Sequence, residues 1–104
     1  MPDFIYETDE STTVKDREKV EIPRRHRVLL HNDHYTTMDF VVLVLKEVFH
    51  KPHREAVRIM LNVHENGIGV AGVYAKALAE AKIMTTHRMA RDHGFPLKCS
   101  MEPE

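Results

Sequence analysis

The sequence predicts an α+β fold in which three strands and three helices follow the order β-α-α-β-α-β. Short apolar or alternating runs at residues 26–32, 68–73 and 96–102 are typical of strands. Between them, apolar residues recur at helical spacing in segments closed by Pro or Gly. With 104 residues, of which 42% are hydrophobic, the chain has room for one small core and therefore for one domain.

The first 24 residues differ in composition from the rest of the chain. Acidic, basic, Ser and Thr residues dominate between Asp3 and Glu21, and only the cluster from Phe4 to Tyr6 interrupts them. Such a segment has little capacity to bury apolar surface. We therefore interpret residues 1–24 as a flexible N-terminal extension and residues 25–104 as the folded domain. The residues leave open whether the extension is a solvated leader or a working part.

The first strand and the first helix flank a polar segment, "HNDHYTTMDF", at residues 31–40. The run "HRVLLHN" is apolar at its centre and is followed by turn-forming residues, which predicts a strand. Thr36, Thr37, Met38 and Asp39 have the spacing of a capping box and predict the start of a helix. We expect this helix to end near Phe49 and to bury one face, formed by Met38, Val41, Val42, Leu45, Val48 and Phe49.

A second helix and a second strand follow. Pro52 stands at a first-turn position and Gly67 just past the helix end. One side of this helix carries Ala56, Val57, Met60, Leu61 and His64. The run "IGVAGV" is too short and too rich in glycine for a helix, so it predicts a strand that another backbone approaches closely.

The C-terminal part predicts one more helix and one more strand. The helix runs from about Tyr74 to His93, with Gly94 as its stop. In "PLKCSME" the apolar and polar residues alternate, which predicts a strand with Cys99 on its inward face.

Charge and composition argue against several classes of partner. The formal net charge is -1, so the chain lacks the basic excess that neutralises phosphates, and we expect no nucleic-acid partner. No window approaches the ~20 apolar residues of a membrane helix, and we recognise no leader peptide. Cys99 is the only cysteine, which excludes an internal disulfide and fits a reducing compartment. We therefore expect a cytoplasmic protein without membrane contact.

The chain also lacks recognisable catalytic and metal-binding motifs. His64 and Glu65 begin like a zinc-protease motif, but Ile68 stands where the second histidine ligand is required. The eight histidines are scattered, without a second cysteine or a compact ligand pair. Ser100 lies in no nucleophile motif, and a buried Cys99 would be inert. We expect no enzyme, no metal and no cofactor; a non-catalytic metal-binding or regulatory protein remains the alternative.

Binding is better supported by the pattern. Met60 and His64 lie four residues apart and share a helical face, with Val63 beside them. The loop after the first strand adds polar side chains, and Met38 opens the next helix with a flexible thioether. These loop residues are Asn32, Asp33 and His34. Hydrogen-bond acceptors and apolar walls are thus predicted to meet at one place, although His64 is also compatible with a buried histidine that its neighbours satisfy.

Four stretches of the chain carry a family resemblance: "VLLHNDHYTTMDFVVLVL", "MLNVHENG", "GVYAKALAEAK" and "FPLKCSMEPE". They resemble the ClpS family, the bacterial adaptors that recognise N-degrons and deliver them to the ClpA unfoldase of the ClpAP protease. The resemblance spans about Arg25 to the C-terminus, in the same order and with nearly gap-free spacing. It implies a three-stranded antiparallel sheet with three helices. The expected partners are the N-terminal domain of a ClpA-type unfoldase and proteins that carry N-degrons, and we expect a monomer.

The resemblance also implies which residues form the site. The substrate's free α-amino group and backbone are expected to contact Asn32, Asp33, His34 and His64. An apolar pocket for a first residue of the Leu, Phe, Tyr or Trp type is expected from Thr36, Met38, Val41, Met60, Val63 and Leu97. Acceptors are required at the pocket rim because an ammonium has three donors and loses water on binding.

This chain departs from the family pattern at a few positions. His34 stands where the family usually has a second acid, and Thr37 stands where it has Pro after the capping Thr. On the third helix, Glu80 and Lys82 match positions that dock the unfoldase, whereas Ala77 replaces an acidic residue found in well-known members. The resemblance further implies that the N-terminal extension takes part in delivery.

Overall fold

The structure is a computed structural model and describes residues 24–104. Its elements are β1 (Arg25–His31), α1 (Met38–Glu47), α2 (His53–Asn66), β2 (Ile68–Ala75), α3 (Lys76–Asp92) and β3 (Lys98–Pro103). The predicted α+β class and the β-α-α-β-α-β order are confirmed. The predicted N-terminal extension lies outside the described residues, apart from Arg24.

The strands form one antiparallel sheet in the order β2-β1-β3, so the first strand is central. Val28 and Leu30 of β1 are fully buried, since alternate side chains of a strand point to the same face. Helices α2 and α3 pack against the sheet, and α1 packs against α2. Apolar residues of α1 join those of β1 in one core. No helix within residues 24–104 has the length and apolar character that crossing a membrane requires.

The cap of α1 differs from the prediction. Thr37 is the N-cap, and its hydroxyl accepts the backbone N–H of Phe40 at 3.1 Å. Thr36, which we expected to cap, donates its hydroxyl to Asp33 instead. Thr37 therefore supplies the helix with its capping oxygen.

The buried face of α1 is also shifted. Met38 was expected in the core but is 44% exposed, because it opens the helix at the rim of a surface cavity. Val42 is only partly buried. Phe40 and Val44 take their places in the core.

In α2 the buried side comprises Ala56, Ile59 and Val63. The predicted side included Leu61, which is 42% exposed, so the helix is rotated from the expected orientation. Gly67 ends the helix as predicted. Its φ of 85° lies in the left-handed region, where glycine suffers no steric penalty.

The glycines of β2 make room for side chains rather than for the backbone that we expected. A Cβ on Gly69 would approach Cγ2 of Val63 to 2.7 Å, and at Gly72 the ring of Tyr74 occupies the space. Because β2 continues to Ala75, Tyr74 belongs to the strand and α3 begins two residues later than predicted.

The last strand places Cys99 in the core, as the alternation predicts. Burial raises the pKa of its thiol to about 12, although Thr86 hydrogen bonds to it. The thiol is therefore protonated and unreactive at neutral pH.

Candidate functional site

A cavity of about 320 Å³ opens where the β1–α1 loop meets α2. Its volume is near the lower end of the ~300–1,000 Å³ range of small-ligand pockets. Three chain segments supply the lining, which consists of Asn32, Asp33, His34, Thr36, Met38, Val41, Met60, Val63 and His64. The fold thus brings together every residue predicted for ligand binding except Leu97.

A backbone hydrogen bond holds the β1–α1 loop against α2. The N–H of Asn32 donates to the carbonyl oxygen of Gly67 at 2.9 Å. Since His64 lies three residues before Gly67, this bond places the start of the loop beside the last turn of α2. The sequence separation between Asn32 and Gly67 explains why no local pattern could predict the contact.

Asp33 organises the loop from within. Its Oδ1 accepts the backbone N–H groups of Tyr35 and Thr36 at 2.8 and 2.7 Å, and its Oδ2 accepts the Thr36 hydroxyl at 2.7 Å. This arrangement is an Asx turn, in which an Asp side chain replaces a backbone acceptor. Both carboxylate oxygens are therefore already engaged, so Asp33 contributes loop geometry and negative charge to the cavity.

The hydrogen bonds also determine the charge state of this carboxyl group. Partial burial by itself would raise the pKa of Asp33, because burial disfavours the charged form. The hydrogen bonds from Thr36 and Tyr35, together with the nearby His34, outweigh that effect and hold the pKa below its ordinary value. Asp33 is thus ionised at neutral pH.

Three other polar side chains of the cavity have no hydrogen-bond partner within the described residues. Asn32, His34 and His64 are exposed, and their side chains form no hydrogen bond with another residue of the described chain. An amide oxygen and the free nitrogen of a neutral imidazole are both acceptors. The cavity therefore presents three unoccupied acceptor groups beside one ionised carboxylate.

The apolar part of the lining combines rigid and adaptable side chains. Val41 and Val63 are buried and belong to the protein core. Met60 is partly buried, and Met38 lies at the exposed edge. Methionine side chains adjust to irregular shapes, so the cavity can accept apolar groups that differ in outline.

Leu97 does not line the cavity. It precedes β3, is 4% exposed and packs in the core. The sheet order explains its position: β3 pairs with one edge of β1, whereas β2 pairs with the other and carries the contacts to α2. Its place in the expected pocket therefore has no support in the cavity lining.

The two residues expected to dock an unfoldase lie on α3. Glu80 is exposed, but Lys82 is engaged within the domain. Its Nζ donates to the carbonyl oxygen of Val48 at 2.7 Å and lies 5.2 Å from the centre of the Tyr74 ring. Val48 is the C-cap of α1, so Lys82 stabilises the end of that helix. Sequence reasoning missed this role because the two residues are 34 positions apart.

Histidines elsewhere serve structural contacts. The backbone N–H of Cys99 donates to Nε2 of His87 at 3.0 Å, and Nε2 of His31 lies 2.7 Å from the Ser100 hydroxyl. Across residues 24–104, no three His, Cys, Asp or Glu side chains come together in a way that could hold a metal ion.

A small α+β domain whose surface cavity is lined by apolar side chains and by exposed hydrogen-bond acceptors has the architecture of a binding module. Comparison with known proteins agrees with this class. A family model described as "ATP-dependent Clp protease adaptor protein ClpS" matches residues 21–100. The chain therefore belongs to the ClpS family of Clp protease adaptors. These adaptors are not catalytic, which confirms the prediction that the protein is not an enzyme.

Individual relatives support the assignment. The ClpS adapter of Desulfatibacillum aliphaticivorans is 66% identical over 87 residues, which are 84% of each chain. That of Oleidesulfovibrio alaskensis is 54% identical over 102 residues, 98% of each chain. The structure of Agrobacterium tumefaciens ClpS2 bound to L-phenylalaninamide matches with a TM-score of 0.77 and 36% identity, covering 80% of this chain and 100% of that one.

Proposed function

We propose that the cavity binds the free α-amino group and the first side chain of N-degron substrates whose first residue is Leu, Phe, Tyr or Trp. The observation that carries this proposal is the joint lining of one small cavity by open acceptors and apolar side chains. The A. tumefaciens relative gives independent support, because its ligand, L-phenylalaninamide, combines a free α-amino group with one aromatic side chain.

The amine is assigned to the acceptors at the cavity edge. An ammonium that leaves water without new partners is strongly destabilised. Asn32 and His64 offer acceptors to its three N–H donors, and the ionised Asp33 adds a favourable charge. His34, in place of the family's second acid, offers a lone pair without a full negative charge.

The first side chain is assigned to the apolar interior. Val41, Met60 and Val63 bound the space that receives it, and Met38 stands at the entrance. A side chain branched at its β-carbon would bring a methyl group against Met38, whereas Leu and Phe branch farther from the backbone. We therefore expect Ile and Val to bind less tightly than Leu.

Delivery is assigned to the other parts of the chain. We propose that Glu80 and the α3 surface around Lys82 contact the N-terminal domain of a ClpA-type unfoldase. Residues 1–24 then act during transfer of the substrate. The internal hydrogen bond of Lys82 leaves two of its three N–H donors for a partner.

Fluorescence titration with labelled peptides tests the binding proposal. Peptides that begin with Leu or Phe should bind, an Ile-initiated peptide should bind less tightly, and N-acetylation of the Phe peptide should abolish binding because it removes the charged amine. Equal affinity for the acetylated and free peptides would refute the proposed amine site.

Degradation assays with ClpAP test delivery separately. Removal of residues 1–20 should leave peptide affinity unchanged, since the cavity lining begins at Asn32, but should slow degradation of an N-degron substrate. Degradation at the full rate by the truncated protein would show that the extension is only a leader.

A further inference from the structure

A second concavity lies at the end of β1 opposite to the cavity. It occupies about 280 Å³ between the end of α1 and the outer side of α3, and we call it the α1–α3 groove. Val48, Leu78 and Ala81 supply apolar lining, and Leu78 is 49% exposed. Lys82 and His50 line it as well. Glu47 and Thr85 complete the lining, so the groove combines uncovered apolar surface with side chains of both charges.

The chain enters the domain next to this groove. His26 lies opposite Tyr74 in the β1–β2 register, and the Tyr74 ring is 5.2 Å from Nζ of Lys82. The residues before Arg24 thus begin at the groove end of the sheet. Residues 7–23 can span up to about 55 Å when extended, so the cluster from Phe4 to Tyr6 is able to reach the groove.

The extension and the domain carry opposite charges. Residues 1–23 contain seven acids and three bases, a net charge of -4, whereas residues 24–104 contain nine acids and twelve bases, a net charge of +3. Most of the negative charge of the extension lies in residues 3–10, which contain four acids and no Lys or Arg. The same residues include the apolar run "FIY". This run is the extension's largest apolar cluster, and it lies among the charges that the domain attracts.

We propose that residues 3–10 dock on the α1–α3 groove. The side chains of Phe4, Ile5 and Tyr6 cover Leu78 and Ala81, and the flanking carboxylates approach Lys82 and His50. The acid Glu47 also borders the groove, so the charge of the groove itself is mixed. The apolar contact therefore determines where the segment binds, and the positive net charge of the domain attracts the acidic segment. A tether provides an effective concentration on the order of 1 mM, which populates a contact too weak to form between separate molecules.

Docking has a consequence for delivery, and this consequence alone rests on the proposed function. The groove includes Lys82, which lies on the surface assigned to the unfoldase. A docked extension therefore competes with the unfoldase, and binding of the unfoldase releases residues 3–10. Residues 3–10 would then be free only when the unfoldase is bound to the adaptor.

Paramagnetic relaxation in the full-length protein tests docking without any unfoldase. A nitroxide on Ser11→Cys lies just beyond the docking segment, and Cys99 is not modified because it is buried with a pKa raised to about 12. At low salt the amide signals of Leu78, Ala81 and Thr85 should lose about half of their intensity or more, as expected for a contact of millimolar strength at that effective concentration. Signals of Ile68 and His64, at the opposite end, should keep theirs.

Matched variants separate docking from simple proximity to Arg24. Replacement of Phe4, Ile5 and Tyr6 by Ser in the labelled protein should restore the groove signals, whereas Val14→Ser with Val20→Ser should not. Raised salt should weaken the effect, because exposed charges are screened. Broadening that is unchanged by the Ser variants, or that is strongest along β2, overturns the proposal. Broadening of isotope-labelled protein by a separate spin-labelled copy assigns the groove to a second molecule and overturns it as well.

Discussion

The two ends of β1 carry concavities of similar size, about 320 and 280 Å³, whose polar groups are used differently. At the cavity, Asn32, His34 and His64 have no side-chain partner among the described residues. At the groove, Lys82 already donates to the carbonyl oxygen of Val48. A polar residue at a concave surface is thus available to a ligand only where the fold leaves its hydrogen-bonding atoms uncommitted. This difference predicts that substitutions at the cavity change binding and that substitution of Lys82 changes stability.

The largest expected effect is on binding, in His64→Ala. Hydrogen bonds to charged groups contribute about 1.5–3 kcal/mol, so affinity for a Phe-initiated peptide should fall roughly 10- to 100-fold. The free energy of unfolding should change by less than about 0.5 kcal/mol, because the side chain is exposed. Peptide titration and urea unfolding measure the two quantities. His53→Ala, on the same helix but outside the cavity, is the matched control. A large loss of stability in His64→Ala would mean that His64 is a structural residue.

The opposite result is expected at the groove. Lys82→Met keeps the apolar stem but removes the charge and the hydrogen bond to Val48, which should lower the free energy of unfolding by about 1–2 kcal/mol. Peptide affinity should remain unchanged. Lys76→Met, at the exposed start of α3, is the control and should have little effect. If Lys82→Met is as stable as the parent protein, the Lys82 cap does not stabilise α1.

Substitution of Asp33 should affect both the loop structure and binding, because its carboxylate accepts the hydrogen bonds of its own loop and also lines the cavity. Asp33→Ala removes three hydrogen bonds and should weaken peptide binding by about 1–2 kcal/mol through disorder of the loop. Asp33→Asn keeps an acceptor oxygen and should lose less. Titration of the three proteins with one peptide compares them. Equal losses in both variants would point to charge, rather than loop geometry, as the contribution of Asp33.

The lowered pKa of Asp33 makes the stability of the β1–α1 loop depend on pH. A carboxyl group whose folded-state pKa is lowered stabilises the fold above its ordinary pKa, 3.8, and loses that contribution as pH falls through the lower folded value. The loop should therefore be intact above about pH 5 and loosen only in stronger acid. Nuclear magnetic resonance of the Tyr35 and Thr36 amides as a function of pH would follow the change.

Met38 should affect selectivity rather than overall affinity. A single methyl group in a packed pocket is worth roughly 1–3 kcal/mol. Because Met38 is 44% exposed and therefore only partly packed, we expect the lower end of that range. Met38→Ala should therefore narrow the difference in affinity between Leu- and Ile-initiated peptides. An unchanged Leu-to-Ile ratio would remove Met38 from the entrance of the pocket.

The smallest effect is expected from His34→Asp. The substitution places a second carboxylate near the substrate's ammonium, and an exposed charge pair contributes about 0.2–1 kcal/mol. Affinity should rise roughly 1.4- to fivefold, less at high salt. His34→Asn, which adds no charge, provides the comparison. Identical affinities in all three proteins would show that His34 points to solvent and that Asn32 and His64 hold the amine without it.

Local features of the sequence determined most of the elements. Gly67 and Gly94 stand where the chain needs a positive φ after a helix, and both were identified as stops. The alternation around Cys99 placed the last strand and its inward face. Such signals act within a few residues, so they can be recognised without knowledge of the packing. They were less reliable at helix faces, where Leu61 was predicted on the same side as Ala56 but is exposed.

The sequence by itself therefore determined the order of strands and helices and the residue types of the site, and its resemblance to ClpS named nine of the residues that line the cavity. The tertiary structure alone decided which polar atoms are free to bind a ligand. The carboxylate of Asp33 accepts hydrogen bonds within its own loop, and Lys82 donates one to the end of α1. It also placed Leu97 in the core beside β3, away from the cavity. Spacing along a chain defines what each residue offers, but hydrogen-bond partners and burial depend on contacts between distant segments, which only the folded chain brings together.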